Sequence, residues 1–170
     1  MFGKRYVPVL NVFWGVSLEG VESKGRKTFY KCRLNIGVTN QGRAIAKYVC
    51  FKLRYNLKER YRLTSDRNSG LIHYSHPERA SKENFEKISA RALPGMVVYP
   101  GDHQSFFSFS LKVSEKDLQF SKIPKFEMRY DLFAEDCENK IKLHYKISSK
   151  KIAEKISKVI KKKLQEETIS

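Results

Sequence analysis

The sequence predicts a mainly β protein: an antiparallel β-sandwich of about seven strands, with a helical insertion and an amphipathic C-terminal helix. Three observations predict it. Apolar residues alternate with polar ones in six separate stretches, Pro, Gly and Asn clusters fall between the stretches, and the last segment changes to helical spacing.

Taken in order, the first stretch places Leu10, Val12, Trp14 and Val16 on one side of a strand, and the second Cys32, Leu34, Ile36 and Val38. Val49, Phe51, Leu53 and Tyr55 make the third. Phe107, Phe109, Leu111 and Val113 make the fourth, Phe126, Met128, Tyr130 and Leu132 the fifth, and Ile141, Leu143, Tyr145 and Ile147 the sixth. Polar residues between them imply one buried and one wetted face per strand. Turns are expected at Asn40-Gln41-Gly42, Pro94-Gly95, Pro100-Gly101 and Glu135 to Asn139, with a short seventh strand from Met96 to Tyr99. Within the first of these turns, Gly42 is expected to supply a positive φ, and the small Ala44 and Ala46 to let chains approach closely.

Residues 1–148 are thus read as one sandwich, interrupted by an insertion at 56–95. Within it, Ser81 to Ala92 reads as a short helix, with Phe85, Ile88 and Ala92 on one side, capping the end of the sandwich. Residues 149–170 read as a basic amphipathic helix. Ile152, Ile156, Val159, Ile160 and Leu164 form its apolar stripe, and its other face carries Lys150, Lys151, Lys155, Lys158, Lys161, Lys162 and Lys163.

The 170-residue chain has 34 Lys+Arg against 18 Asp+Glu, a formal net charge of +16, and 12% aromatics. So many aromatics exclude a disordered basic tail. The charge is uneven: net +11 over residues 1–70, +1 over 71–149 and +4 over 150–170. Strand parity turns Lys31 and Arg33 outward from the second strand and Lys52 and Arg54 from the third. If the second and third strands pair as a hairpin, these four share a face; if the chain crosses between sheets, they part. In an immunoglobulin-like order the third, sixth and seventh strands share a sheet, which would gather Lys52, Arg54, Lys140, Lys142 and Lys146 on one outer face with Tyr48 and Phe133. Glu127 and Asp131, flanking Arg129, would partly neutralise it. Continued by Lys155, Lys158 and Lys162 of the helix, such a face can hold a nucleic-acid backbone, because neutralising phosphates releases counterions without base-specific geometry. The alternative partner is another protein or domain, docked on the stripe Ile152, Ile156, Val159, Ile160 and Leu164. A membrane partner is not expected, because the stripe lacks Trp or Phe and the uncharged run Tyr6 to Leu18 is too short to cross a bilayer.

Catalytic chemistry is not expected. His73-Tyr74-Ser75-His76, with His103 as the nearest further histidine, reads as polar loop rather than a metal site, and Glu135-Asp136 as a turn. Cys32 faces inward by parity and Cys50 outward; with Cys137 they make an odd number without a C-x-x-C pair, which suits a reducing, cytoplasmic setting. Nucleotide-binding glycine motifs are absent, no metal or cofactor is expected, and the expected function is that of a non-enzymatic accessory binding module.

The stretch Leu34-Asn35-Ile36-Gly37-Val38-Thr39-Asn40-Gln41-Gly42-Arg43-Ala44-Ile45-Ala46-Lys47-Tyr48-Val49 resembles bacterial immunoglobulin-like sandwiches of the CARDB type. It also resembles the sandwich at the C-terminus of bacterial schlafen/AlbA-like DNA-binding proteins, as do Val98-Tyr99-Pro100-Gly101 and Arg129-Tyr130-Asp131-Leu132-Phe133-Ala134-Glu135-Asp136. Neither resemblance implies a catalytic residue. The second implies an accessory role beside a nucleic-acid domain that would lie upstream, which leaves a piece of a longer protein and a free-standing relative both open.

Overall fold

A computed structural model describes residues 6–56, 61–64, 71–75, 77–79, 85–120 and 122–169. The strands are β1 (Leu10–Lys24), β2 (Lys27–Asn40), β3 (Ala46–Lys47), β4 (Cys50–Asn56), β5 (Arg62–Leu63), β6 (Ile72–Tyr74), β7 (Glu78–Arg79), β8 (Phe85–Ala92), β9 (Val97–Val98) and β10 (His103–Ser114), followed by β11 (Phe126–Phe133) and β12 (Lys140–Ile147). Helix α1 (Glu115–Gln119) lies between β10 and β11, and α2 (Ser149–Ile169) ends the fold. The chain is therefore mainly β, with antiparallel sheets and a C-terminal helix.

One sheet has the order β1-β2-β10-β5 and the other β12-β11-β4-β8-β6, with β7 also on β8; β3 and β9 form a separate pair. The alternating residues of the first five stretches form the hydrophobic core or pack against it. Phe51 of β4, fully buried, lies edge-on to Phe106 and Phe107 of β10 and to Tyr130 of β11, with ring centroids 6.0, 5.1 and 5.9 Å away. Tyr55 meets Phe109 at 4.8 Å. Burial raises the Tyr55 hydroxyl above its ordinary pKa, as does the hydrogen bond it donates to the Glu86 carboxylate. Beside this core, burial pushes the Cys32 thiol up to about 12, so it stays protonated.

The segment after β4 departs from the expected helical cap. Residues 80–84 of that stretch lie outside the described residues, but Phe85–Ala92 is a strand paired with β4 on one side and with β6 and β7 on the other. The reason is its burial period of two: Ile88, Ala90 and Ala92 point into the core, and Lys87, Ser89 and Arg91 point away. Ala and Lys favour a helix in isolation, yet partners on both edges outweigh so small a preference. The segment widens both sheets, since β5 joins β10 as well.

Three single-residue insertions alter strand parity. Between Ser105 and Phe107 the extra Phe106 lets two consecutive phenylalanines be buried. Between Leu18 and Gly20 the extra Glu19 shifts β1, so that Glu19 and Glu22 both serve the outer face of β2. In β12, Tyr145 opposes Met128 but Lys142 opposes Tyr130, one residue more than on β11. This last bulge overturns the expected inward alternation, and Ile141 is 61% exposed.

Gly42 also differs from expectation. Its φ is not positive, and the need for glycine comes from close approach: a Cβ there would lie 2.5 Å from the Val7 carbonyl oxygen and the Val9 nitrogen. Positive φ occurs instead at Gly95 and Gly101, each directly after a proline, as type II turns require.

Helix α2 begins where the Ser148 hydroxyl accepts from the Lys151 N–H at 3.3 Å. Ile152, Ala153 and Ile156 are buried against the rest of the fold, chiefly along β1. Lys155 stands 4.0 Å over the Trp14 ring and donates to the Trp14 carbonyl at 3.0 Å. Among the described residues no helix is long and apolar enough to cross a membrane.

Candidate functional site

The two large sheets present outer faces of opposite character. On the four-stranded sheet the cations are paired: Lys31 and Lys112 both reach Glu22 at 2.6 Å, and Arg33 reaches Glu19 at 2.5 Å. Hydrogen bonds from Lys112 and Lys31 hold the Glu22 carboxyl at about 2, well below its ordinary 4.5. A depressed carboxylate stabilises the fold fully above its unfolded pKa and loses that contribution as pH falls through the folded one. Thermal melts from pH 6 to pH 2 should therefore show the native chain's advantage over a Glu22→Gln variant disappearing between about pH 4.5 and 2. An advantage that persists at pH 2 would contradict the paired geometry.

On the six-stranded sheet, registered pairs build the outer face rung by rung. Arg129 of β11 opposes Arg54 of β4, which opposes Lys87 of β8. In the next rung Asp131 opposes Lys52 and Lys52 opposes Ser89; in the one after, Phe133, Cys50 and Arg91 are in line. Three cations thus stand side by side on adjacent strands, which lie about 4.8 Å apart. Among the described residues no carboxylate forms an ion pair with Lys52, Arg54 or Lys87. Arg129 lies over the Phe85 ring at 5.1 Å, and Lys52 over Phe133 at 5.7 Å. Two shallow grooves flank β4. One, of about 390 Å³, is lined by Lys52, Arg54, Arg129, Tyr130, Asp131 and their β12 neighbours. The other, of about 280 Å³, lies over β8 and includes Lys87, Ser89 and Glu78.

The predicted residues divide. β2 and β4 lie in different sheets, so Lys31 and Arg33 part from Lys52 and Arg54. Only Lys52 and Arg54 of the predicted set stand in the cation rungs. The β12 bulge puts Lys140 and Lys142 opposite Leu132 and Tyr130 rather than in the cation rungs, yet Lys142 stays exposed and lines the 390 Å³ groove together with Lys52, Arg54 and Arg129. Lys140 donates at 2.6 Å to the Asn11 side chain of the other sheet. Lys146 does face out, opposite Glu127, whose carboxyl is lowered first by its hydrogen bond from Lys125 and further by the charge of Lys146. Lys155 is held on Trp14, while Lys158 and Lys162 are exposed on a helix that packs along β1 of the other sheet. Of the expected partner stripe, Ile152 and Ile156 are buried within this chain, Val159 and Ile160 are half-buried, and Leu164 is 58% exposed.

Lys87 and Arg91 were concealed by the helical reading of their segment, although the run Lys87-Ile88-Ser89-Ala90-Arg91-Ala92 carries a strict period of two. Cys50, expected in solvent, is buried at 4% exposure between Phe133 and Arg91. His73 lies on β6 and His103 meets the Phe13 ring edge-on in the other sheet; His76 is outside the described residues. No His, Cys, Asp and Glu group suited to a metal occurs among the described residues.

No protein-family model matches the chain, and no curated protein matches it. Solved structures with partial likeness include a structural-genomics target designated SoR45, 12% identical with a TM-score of 0.36, covering 82% of this chain and 86% of its own. Another is a Bordetella pertussis protein given the name ApaA, 11% identical with a TM-score of 0.38, covering 84% of this chain and 94% of its own.

Proposed function

We propose that the outer face of the six-stranded sheet binds the backbone of a nucleic acid, and that the chain is a non-enzymatic, cytoplasmic accessory module built on an immunoglobulin-like sandwich. The orders β1-β2-β10-β5 and β12-β11-β4-β8 support that reading of the fold. The observation that carries the functional reading is the row Arg129, Arg54, Lys87. Like charges placed directly opposite across strands destabilise a sheet by about 0.2–1 kcal/mol per pair, and Arg129 against Arg54 and Arg54 against Lys87 are two such pairs, with Glu78 opposite Lys87 closing the row on its far side. A polyanion removes the repulsion when it binds and releases counterions as it does so.

The test is Arg54→Glu. A glutamate between Arg129 and Lys87 converts two repulsive pairs into attractive ones, so the variant's melting temperature should hold or rise while its affinity for labelled nucleic acid at 50 mM salt falls at least tenfold. For the native chain, log Kd should rise linearly with log salt. A native chain that binds no polyanion at low salt, or a variant that binds as well as the native chain, would overturn the reading.

A second surface favours protein binding. A groove of about 450 Å³ with Leu18, Val21, Tyr30, Ile160 and Leu164 in its lining, and Lys163 and Glu167 beside them, runs along the later turns of α2. If no polyanion binds, that groove becomes the leading interaction surface.

A further inference from the structure

On the reading just given, we infer that the nucleic acid is single-stranded, with a base stacked on Phe133 and a base amino group donated to Asp131 while Arg129, Arg54 and Lys87 hold the phosphates. The cation row would suit any polyanion, but its neighbours on β11 would not. Phe133, two residues beyond Asp131 and therefore on the same face, leaves 36% of its surface in solvent beside Lys52. An exposed ring next to cations is a platform for unpaired bases, because every base has a π-face and its phosphates stay within reach of the lysine and arginine heads. A duplex keeps its bases stacked inside and offers such a ring only sugar and phosphate.

Asp131 supplies the second chemistry. It lines the groove between β11 and β4, and its buried Oδ1 has no hydrogen-bond partner among the described residues. An ionised carboxylate only accepts hydrogen bonds, and a buried acceptor left unmade is costly. A phosphate cannot donate to it. The amino groups of cytosine and adenine can, and in a single strand those edges are free; thymine carries an acceptor in place of the amino group and keeps only its ring N3–H to donate. Cations, an aromatic ring and an unmet acceptor on three successive rungs together match a nucleotide with an open base edge.

The probes are fluorescein-labelled 15-mers of deoxycytidine and of thymidine and a 15-base-pair duplex, titrated by anisotropy at one salt concentration with the native chain, Phe133→Leu and Asp131→Ala. The expected result is tighter binding of the cytidine strand than of either other probe. Phe133→Leu should weaken the cytidine strand about fivefold to a hundredfold, the range of one base stack, and leave the duplex nearly unchanged. Asp131→Ala should bring the cytidine strand down toward the thymidine strand. A duplex bound as tightly as both single strands, or an affinity for the cytidine strand unmoved by Phe133→Leu, would overturn the inference. Loss of all binding in Arg54→Glu alongside such a result would leave the backbone reading standing and remove only the single-strand assignment.

Discussion

Phe51→Ala is expected to reduce stability by about 3–5 kcal/mol, read as a lower urea midpoint with little change in slope. Phe51 is fully buried at the middle of β4 and is the ring on which both sheets converge: Phe106 and Phe107 approach from β10, and Tyr130 from the neighbouring β11. Three edge-on partners fix its orientation, so truncation removes packing from both sheets at once, and strands held by their pairing partners cannot close the gap. The face proposed to bind nucleic acid lies on the other side of the same strand, where Lys52 and Arg54 are exposed. The variant should therefore lose nucleic-acid affinity only in proportion to the fraction unfolded. A loss below about 1 kcal/mol would mean that the sheets collapse onto the void, contrary to the rigid packing described.

Asn40→Ala is expected to cost about 2–5 kcal/mol, as much as a large core deletion despite the smaller side chain. Asn40 is completely buried, and every polar atom of its side chain is used. Its Oδ1 accepts from the N–H groups of Val9 and Gly42, at 3.2 and 3.0 Å; its Nδ2 donates to the carbonyls of Ala44 and Val98, at 2.8 and 2.9 Å. Four backbone groups from three places in the chain, before β1, in the turn after β2 and at β9, are satisfied by one amide, and alanine strands all of them. Asn40→Asp discriminates between geometry and chemistry. The carboxylate keeps the acceptor but faces two carbonyls with no proton to give, so it should be at least as damaging at pH 7 as alanine. An aspartate variant that melts with the native chain would contradict the donor role.

Much of this architecture could be read in the sequence, because large apolar residues at period two in β1, β2, β4, β10 and β11 leave little alternative. The turns at Pro94-Gly95 and Pro100-Gly101 were equally plain, though not the positive φ of their glycines. What escaped has a common cause in residues that carry two signals. Phe85, Ile88 and Ala92 fit one face of a helix as well as Ile88, Ala90 and Ala92 fit one face of a strand, and alanine is too small to decide between them. Only pairing with β4, which is distant in sequence, resolves it, and with it the positions of Lys87 and Arg91. The bulges are harder still, since one extra residue leaves composition and hydrophobicity unchanged. Nothing near Lys142 announces that the register shifts there. The candidate site was accordingly half legible: Lys52 and Arg54 from parity, Arg129 noted between its acids but not enlisted, and the β8 cations concealed.

The β12 bulge has an effect apart from moving two lysines. β12 is the outermost strand of its sheet, and a straight, evenly paired outer strand is a template on which another molecule can add its own. The extra residue breaks the regular ladder spacing midway, and the exposed Lys142 and Lys146 on either side of the break set charges along the edge that an incoming strand would have to pass. A highly basic β-protein could keep itself dispersed by charge repulsion alone at low ionic strength, but a polyanion would cancel that repulsion at the moment of binding. The irregular edge offers protection against aggregation that does not depend on net charge, and so would remain in force with the proposed polyanion bound.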